Sequence, residues 1–295
     1  MKKLLFKGCA TAIITPFSDD GSIDFKSYER LLKFQLDNSI KAIVVCGTTG
    51  ESATMSDDEK LCLFERTVKY VSGAVPVIAG CGSNDTKHAA MLSHQAQKLG
   101  ADALLHVTPY YNKTSQSGLE AHYAAVCAAC ELPVIVYNVP SRTGLNIEPA
   151  TYNKLAKIEN IVAVKEANPN ITAFAKSRQL CGDSIAFYSG NDDLAVPMMS
   201  LGAFGLISVL SNICPAETAS MCESCLCGET DKAAEIQLKV FPMIEALFCE
   251  VNPIPVKYAL SLMGICKQQL RLPLVAPSSS SALRVKNEMQ ALGII

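Results

Sequence analysis

One lysine in the chain stands where a positive charge is costly. The segment IVAVKEA (161–167) is apolar up to Lys165, which predicts a buried strand carrying a single amine. Burial disfavours the charged form of an amine, so a desolvated lysine has a lowered pKa and can act as a nucleophile. Considered alone, Lys165 has two interpretations: a reactive amine, or a strand-end lysine that reaches water and pairs with Glu166.

The ends of the other predicted strands carry hydroxyls, glycines and few charges. Each has a plain interpretation: GTTGE (47–51) as an ordinary turn, Tyr137 as a core tyrosine, and Arg142 as a solvated loop residue. Together, a low-pKa amine, tyrosines that transfer protons, and hydroxyls and amides that bind a carboxylate suit Schiff-base chemistry on a keto acid. These strand ends lack a His/Asp/Glu cluster, so metal-assisted hydrolysis is disfavoured, and we expect neither a metal nor a cofactor.

The elements that position these groups follow an alternating pattern. Short β-branched runs alternate with amphipathic stretches at the spacing of βα units, and nearly continuous apolar strands are typical of a parallel sheet covered on both faces. No GxGxxG motif follows the first strand, which disfavours a dinucleotide-binding domain. We therefore predict a (β/α)8 TIM barrel with strands at 11–16, 42–47, 76–82, 103–109, 133–140, 161–167, 186–191 and 205–212.

The alternation stops after residue 212. Helices are predicted over 215–228, 230–248 and 253–266, and a polar connector, APSSSSAL (276–283), precedes a final short helix. We expect a barrel over residues 1–214 and a C-terminal helical extension over 215–295 that packs on it as one structural unit.

Composition excludes several classes of function. The 295 residues are 49 % hydrophobic and 18 % charged with a net charge of −2, so there is no electrostatic footprint for nucleic acid. The apolar runs are too short to span a bilayer, and Lys7 interrupts the apolar start before it could form an export signal. The 13 cysteines, including the CxxC at 127–130, lack partners at metal-binding spacing. They favour a reducing, cytoplasmic location.

Four motifs connect the sequence to a known family. GTTGES (47–52), TPYYNK (108–113), YNVPSRTG (137–144) and VAVKEA (162–167) resemble, in order and spacing, the dihydrodipicolinate synthase / N-acetylneuraminate lyase family of class I aldolases. The resemblance covers almost the whole chain. It implies a (β/α)8 barrel with a C-terminal helical region, assembled as a homotetramer from two tight dimers.

The resemblance also implies roles for individual residues. Lys165 matches the lysine that forms an imine with pyruvate, and Tyr137 matches the tyrosine that transfers protons beside it. Thr48 and Tyr111 match the rest of a hydroxyl relay, with Tyr111 reaching in from the neighbouring subunit. Thr49 matches the residue that binds the pyruvate carboxylate.

Substrate choice is expected to depend on the second reactant's subsite. Gly190 and Ile207 match backbone positions that line the pyruvate pocket. Arg142, in PSRTG, matches the arginine that holds the carboxylate of L-aspartate 4-semialdehyde, and its planar guanidinium suits that role. The implied reaction condenses this aldehyde with pyruvate on the way to diaminopimelate and lysine. Cleavage of N-acetylneuraminate or a 2-keto-3-deoxy sugar acid is the alternative, and a barrel that binds small molecules without catalysis is a third possibility.

Feedback regulation is a separate expectation from the resemblance. Lysine-sensitive members have a cleft at the tight-dimer interface, whose lining positions match Ser52, Ala53, Asn84, His88 and Tyr110. Asp57 and Lys60 stand where sensitive members often have histidines, and His88 replaces an acidic residue. Because an ammonium ligand requires that carboxylate, we expect lysine inhibition to be weak or absent.

Overall fold

Eight parallel strands close into a barrel in the computed structural model, which describes Lys2 and residues 4–295. Each strand pairs with the next along the chain, and the last pairs with the first. This confirms the predicted fold class. The strands are β1 (Gly8–Ala12), β2 (Ala42–Val45), β3 (Val77–Gly80), β4 (Ala103–Val107), β5 (Val134–Asn138), β6 (Ile161–Glu166), β7 (Ala186–Ser189) and β8 (Gly205–Ser208).

Helices cover the outside of the barrel and extend beyond it. Those between the strands are α1 (Phe25–Asp37), α2 (Asp57–Val71), α3 (Thr86–Lys98), α4 (Gln116–Ala128), α5 (Pro140–Thr143), α6 (Pro149–Leu155), α7 (Ile171–Cys181) and α8 (Ala195–Ser200). After β8 come α9 (Pro215–Leu226), α10 (Thr230–Leu247), α11 (Ile254–Leu262) and α12 (Ser279–Ala291).

Helix α9 packs against β1 and β8 and so completes the ring of barrel helices. The helices α10, α11 and α12 pack on one another beside it. The division of the chain after residue 214 stays a prediction.

Local signals in the sequence account for several helix ends. Ser56 and Glu59 form the predicted capping box of α2: the Glu59 amide donates to Ser56 Oγ over 3.2 Å, and the Ser56 amide donates to Glu59 Oε2 over 2.9 Å. Helix α3 ends just before Gly100, whose φ of +85° is the left-handed conformation that a helix C-terminus favours.

Every predicted strand ends one to four residues beyond the observed strand, and two of the predicted boundaries differ for a local reason that the structure shows. The first strand is Gly8–Ala12 rather than 11–16, because the chain leaves the sheet soon after Ala12 and the Ile14 amide bonds to Asn212 Oδ1 over 3.2 Å. Ile14 stays fully buried, so its apolar character reflects packing and not strand pairing. Helix α12 begins at Ser279, inside the predicted connector, since the Ser278 hydroxyl caps it.

The barrel interior forms its own apolar core, separate from the layer between strands and helices. Strands β1 and β2 contribute the small residues Ala10, Ala12 and Ala42 to this interior. Phe6 stacks on Tyr188, with ring centroids 4.2 Å apart, and fills the interior from the amino end. At the carboxyl end a cavity remains open to a ligand.

Two kinds of site are absent from the residues that the structure describes. None of the described helices combines the length and the apolar character that crossing a membrane requires. Within the same residues, no group of three or more His, Cys, Asp or Glu side chains could hold a metal ion. All 13 cysteines are free, and Cys127 and Cys130 are buried as expected.

Candidate active site

Lys165 faces the barrel interior because of a β-bulge in β6. The pairing of β5 with β6 shifts there, so Val162 and Ala163 both belong to the interior core, and Lys165 points inward two residues later. Glu166 points outward, where it accepts hydrogen bonds from Tyr152 Oη at 2.6 Å and Asn138 Nδ2 at 2.9 Å. The interpretation of Lys165 as a strand-end lysine paired with Glu166 is therefore wrong.

The surroundings of Lys165 favour its neutral form. Burial lowers the pKa of the amine to about 8; the charge of Asp192 opposes this shift and the charge of Arg142 adds to it. Its Nζ atom lies 4.5 Å from the ring centroid of Tyr137, the paired residue on β5. Roughly half of such amines are unprotonated near pH 8, against well under 1 % for an ordinary lysine.

Tyr137 is the second reactive group at this position. Burial raises the pKa of its phenol to about 12, although Arg142 and the Thr48 hydroxyl act in the opposite direction. The phenol therefore carries its proton at neutral pH. A protonated hydroxyl beside a partly neutral amine is an arrangement for proton transfer.

The turn that carries Thr48 and Thr49 is held in a strained conformation. It lies between two non-glycine residues with left-handed backbones, Cys46 (φ 54°) and Glu51 (φ 57°). Such conformations cost about 1–3 kcal/mol each and persist only where the surroundings enforce them. One enforcing contact is the hydrogen bond from Thr15 Oγ1 to the Gly50 carbonyl, 2.8 Å long.

Asn252, which follows helix α10, forms hydrogen bonds with two predicted site residues, Thr49 and Arg142. Its Nδ2 donates to Thr49 Oγ1 over 3.0 Å, and its carbonyl accepts a hydrogen bond from Arg142 Nη2 over 3.1 Å. The side chain is buried, and its Oδ1 has no hydrogen-bond partner within the described residues. A buried unpaired acceptor beside a cavity is available to a ligand.

A cavity of about 190 Å³ opens above the end of β6, and six of the eight predicted catalytic and substrate-binding residues line it. Gly190 is required there, because a Cβ atom at this position would lie 3.1 Å from Lys165 Cε and 2.8 Å from Ala167 Cβ. The six residues are Thr48, Thr49, Tyr137, Arg142, Lys165 and Gly190.

Two predicted site residues lie elsewhere on this chain. Ile207, predicted to line the pocket through its backbone, is fully buried in the barrel interior on β8 and is absent from the cavity lining. Tyr111 is 91 % exposed, with a left-handed backbone at φ 67°, and does not reach the cavity of its own chain.

A second cavity of about 560 Å³ adjoins the first and shares Thr48, Val139, Arg142 and Asn252 with it. All five residues predicted for the allosteric cleft line it: Ser52, Ala53, Asn84, His88 and Tyr110. His88 Nε2 lies 2.8 Å from Asp57 Oδ2, and Lys60 Nζ lies 3.3 Å from the other oxygen of Asp57.

Glu51 is the acidic side chain of the second cavity's described lining, and it is already paired with Lys257. The cavity therefore offers an ammonium group no free carboxylate among its described residues.

Two further residues of the site were missed from the sequence. Asp192 is buried near Lys165 and accepts hydrogen bonds from the amides of Val209 and Leu210. Asn252 follows helix α10 and does not lie at the end of a strand, where site residues of a barrel are expected. The one available signal for Asn252 is the Asn-Pro dipeptide at 252–253, which marks a turn.

The fold and the site together define a class. A closed (β/α)8 barrel with a desolvated amine at the carboxyl end of β6, beside hydroxyl groups and a glycine-rich turn, is typical of enzymes that use a lysine as a nucleophile.

Comparison with known proteins specifies the family. The model of the dihydrodipicolinate synthetase family matches residues 5–292, and the chain belongs to this family. It is 53 % identical over 290 residues to the 4-hydroxy-tetrahydrodipicolinate synthase of Caldicellulosiruptor bescii, with 98 % of both chains covered. The family resemblance seen in the four motifs is thereby confirmed.

Solved structures agree with this assignment. The dihydrodipicolinate synthase of Thermotoga maritima superimposes with a TM-score of 0.96 at 42 % identity, covering 99 % of this chain and all of the other. The chloride-inhibited enzyme of Acinetobacter baumannii, solved in complex with pyruvate, superimposes with a TM-score of 0.96 at 39 % identity, covering 98 % and 99 % of the two chains.

Proposed function

We propose that the chain is a 4-hydroxy-tetrahydrodipicolinate synthase, a lyase that condenses pyruvate with L-aspartate 4-semialdehyde and releases one water. The observation that carries the proposal is the buried amine of Lys165, which lies 4.5 Å from the Tyr137 ring in a cavity that Arg142 also lines. The names of the full-length relatives support the same activity.

Lys165 is the proposed nucleophile. Its neutral amine attacks the ketone carbon of pyruvate, and loss of water from the adduct forms an imine. Protonation of the imine nitrogen makes it an electron sink, so that a methyl proton of pyruvate can leave and an enamine forms. The enamine carbon then attacks the aldehyde carbon of the second substrate. The amino group of that substrate displaces Lys165 from the imine, closing the product ring and freeing the enzyme.

Tyr137 is the proposed group that moves the protons of these steps. Its high pKa keeps the phenol protonated, so it can protonate the leaving hydroxyl and then recover a proton. Thr48 lies beside it and extends the relay toward solvent. Because Tyr111 is exposed on its own chain, we propose that Tyr111 of a second copy completes the relay in a tight dimer, within a tetramer.

The two substrates are distinguished by two carboxylate sites. Thr49, whose hydroxyl already accepts a hydrogen bond from Asn252, is placed to bind the pyruvate carboxylate through its amide and hydroxyl. Arg142 is proposed to bind the carboxylate of the aldehyde. Its guanidinium donates one hydrogen bond to the Asn252 carbonyl, and its other N–H groups can donate to the substrate carboxylate.

A condensation assay coupled to product formation tests the proposal. The chain should turn over pyruvate with aspartate semialdehyde and should not cleave N-acetylneuraminate or 2-keto-3-deoxygluconate. Faster turnover of either sugar acid would assign the chain to the lyases instead. Pyruvate binding without any turnover would indicate a non-catalytic binder.

Substitution of Arg142 tests the second carboxylate site separately. An Arg142→Ala variant should lower kcat/KM for the aldehyde on the order of 100-fold, as expected for loss of charged hydrogen bonds, while imine formation with pyruvate persists. Arg284→Ala, which removes an exposed arginine of α12, is the matched control. Unchanged use of the aldehyde by Arg142→Ala would remove the proposed role.

We further infer that the second cavity does not confer strong inhibition by lysine. Its acidic lining residue, Glu51, is paired with Lys257, and His88 and Lys60 engage Asp57 beside the cavity. A lysine ammonium would find no free carboxylate among these residues. The proposed location is the cytoplasm, where the substrates of a biosynthetic enzyme are present.

A further inference from the structure

A buried ion pair connects the C-terminal helical region to the turn that bears Thr48 and Thr49. Lys257 Nζ, on α11, lies 2.6 Å from Glu51 Oε1, and both side chains are 0 % exposed. Glu51 ends the GTTGE turn, but the proposed chemistry uses neither residue of the pair. Charges this deeply buried are rare unless they are paired, as these two are.

The surroundings of the pair satisfy both charges. The second carboxylate oxygen of Glu51 accepts a hydrogen bond from the Arg271 amide over 3.1 Å. Lys257 Nζ lies 4.2 Å from the centroid of the Phe17 ring, and the Arg271 guanidinium lies 4.3 Å from the same centroid. The ring therefore interacts with two cations while Glu51 neutralises one of them.

The pair contacts the strained end of the turn. Glu51 has the left-handed conformation, and its amide donates to the Thr48 carbonyl over 3.1 Å. A carboxylate held at both oxygens restricts where this backbone can go. Movement of Glu51 would therefore be transmitted directly to Thr48.

The same C-terminal segment holds the turn at a second point. Asn252 lies two residues before α11 and bonds Thr49 Oγ1 over 3.0 Å, whereas Lys257 lies within α11. One helix and the residues before it thus contact the Thr48–Glu51 turn at two points, Thr49 and Glu51. The helical region after β8 is part of the site, although all strand ends belong to the barrel.

Stability alone does not account for such a pair. Replacing a buried ion pair by uncharged residues of similar size is often neutral or stabilising, whereas removing one partner leaves a buried charge and is strongly destabilising. The benefit of the pair lies in geometry. We propose that Glu51 and Lys257 are positioning residues that set the Thr48–Thr49 turn for pyruvate. This inference rests on the proposed function, since it assigns the turn to pyruvate binding.

The test uses the full-length protein and the double variant Glu51→Gln/Lys257→Met, which removes both charges at nearly constant volume. The matched control is Glu120→Gln/Lys154→Met, which makes the same changes at an exposed ion pair between α4 and α6. For each protein, the folded state is checked by thermal unfolding, and KM values for pyruvate and for the aldehyde are measured separately.

We expect the double variant to unfold near the wild-type temperature and to have a KM for pyruvate raised about tenfold, the factor of one weakened hydrogen bond to a charged group. Its KM for the aldehyde should change less than threefold, and the control should match wild type in every value. The single variants Glu51→Gln and Lys257→Met each leave one buried charge without its partner, so they should be less stable than the double variant.

Two results would overturn the inference. A double variant that folds and keeps the wild-type KM for pyruvate would show that the pair does not position the turn. One that does not fold would show that the pair maintains the fold itself. Failure of wild type and control to condense pyruvate would instead remove the proposed function, and the inference with it.

Discussion

Replacing Lys165 by methionine should make the protein more stable while abolishing its chemistry. The buried amine has a pKa of about 8, against 10.5 for an exposed lysine. Each unit of this shift corresponds to 1.36 kcal/mol, so holding the charged amine in the folded state costs about 3 kcal/mol. Methionine has similar length and carries no charge, so Lys165→Met should raise the free energy of unfolding by about this amount at pH 7.

The difference in free energy of unfolding between Lys165→Met and wild type should decrease as the pH rises. Because the folded-state pKa is lowered, the unfolded chain binds more protons than the folded one between pH 8 and 10.5. The stability of the wild type therefore rises with pH in this window as the penalty on Lys165 disappears. The advantage of Lys165→Met should be full below pH 8 and should shrink toward pH 10.5.

Urea unfolding at equal subunit concentration, at pH 7, 9 and 10, measures both effects. Lys286→Met on α12 is the matched control, since Lys286 is exposed and its substitution should change stability by less than about 0.5 kcal/mol at every pH. A Lys165→Met variant less stable than wild type at pH 7, or a difference independent of pH, would refute the proposed desolvation of this amine.

Three further substitutions and titrations have defined outcomes. Tyr137→Phe should lower kcat about 100-fold or more, the scale of a lost general acid or base, while the exposed control Tyr70→Phe keeps wild-type activity; equal kcat in both would exclude the phenol from proton transfer. The rate of imine formation should rise with pH through about pH 8, and Asp192→Asn should move this rise to lower pH because the Asp192 charge raises the pKa of Lys165. A shift to higher pH would contradict that electrostatic account. Added lysine at about 1 mM, a concentration that corresponds to about 4 kcal/mol of binding free energy, should leave the condensation rate nearly unchanged. Half-inhibition well below that concentration would contradict the absence of a free carboxylate in the second cavity.

Much of the barrel and of the cavity follows from local patterns in the sequence. Short apolar strands separated by amphipathic helices indicate a parallel barrel, and the chemistry of such barrels lies at the strand ends. Lys165, Tyr137 and Thr48, which this pattern predicts at strand ends, line one cavity. The predicted first strand begins about three residues too late, because Ile13 and Ile14 remain buried after the chain has left the sheet.

The contacts that hold the cavity together are long-range and could not be predicted in this way. Asn252 donates a hydrogen bond to Thr49, and Lys257 forms an ion pair with Glu51; more than 200 residues of sequence separate the partners of each pair. Lys257 did carry the same signal as Lys165, a lone lysine in the apolar stretch IPVKYALSL. The sequence pattern does not distinguish a lysine neutralised by an ion pair from one left unpaired and reactive. That distinction depends on which residue the fold places opposite each amine.

Reduction with borohydride in the presence of pyruvate tests the central claim most directly. If Lys165 forms an imine with pyruvate, reduction will fix a carboxyethyl group on its Nζ atom and inactivate the protein, and peptide mapping by mass spectrometry will find the group on the segment that contains residue 165. The Lys165→Met variant should take up no label. Label on another lysine, or none on wild-type protein that still turns over pyruvate, would contradict the account.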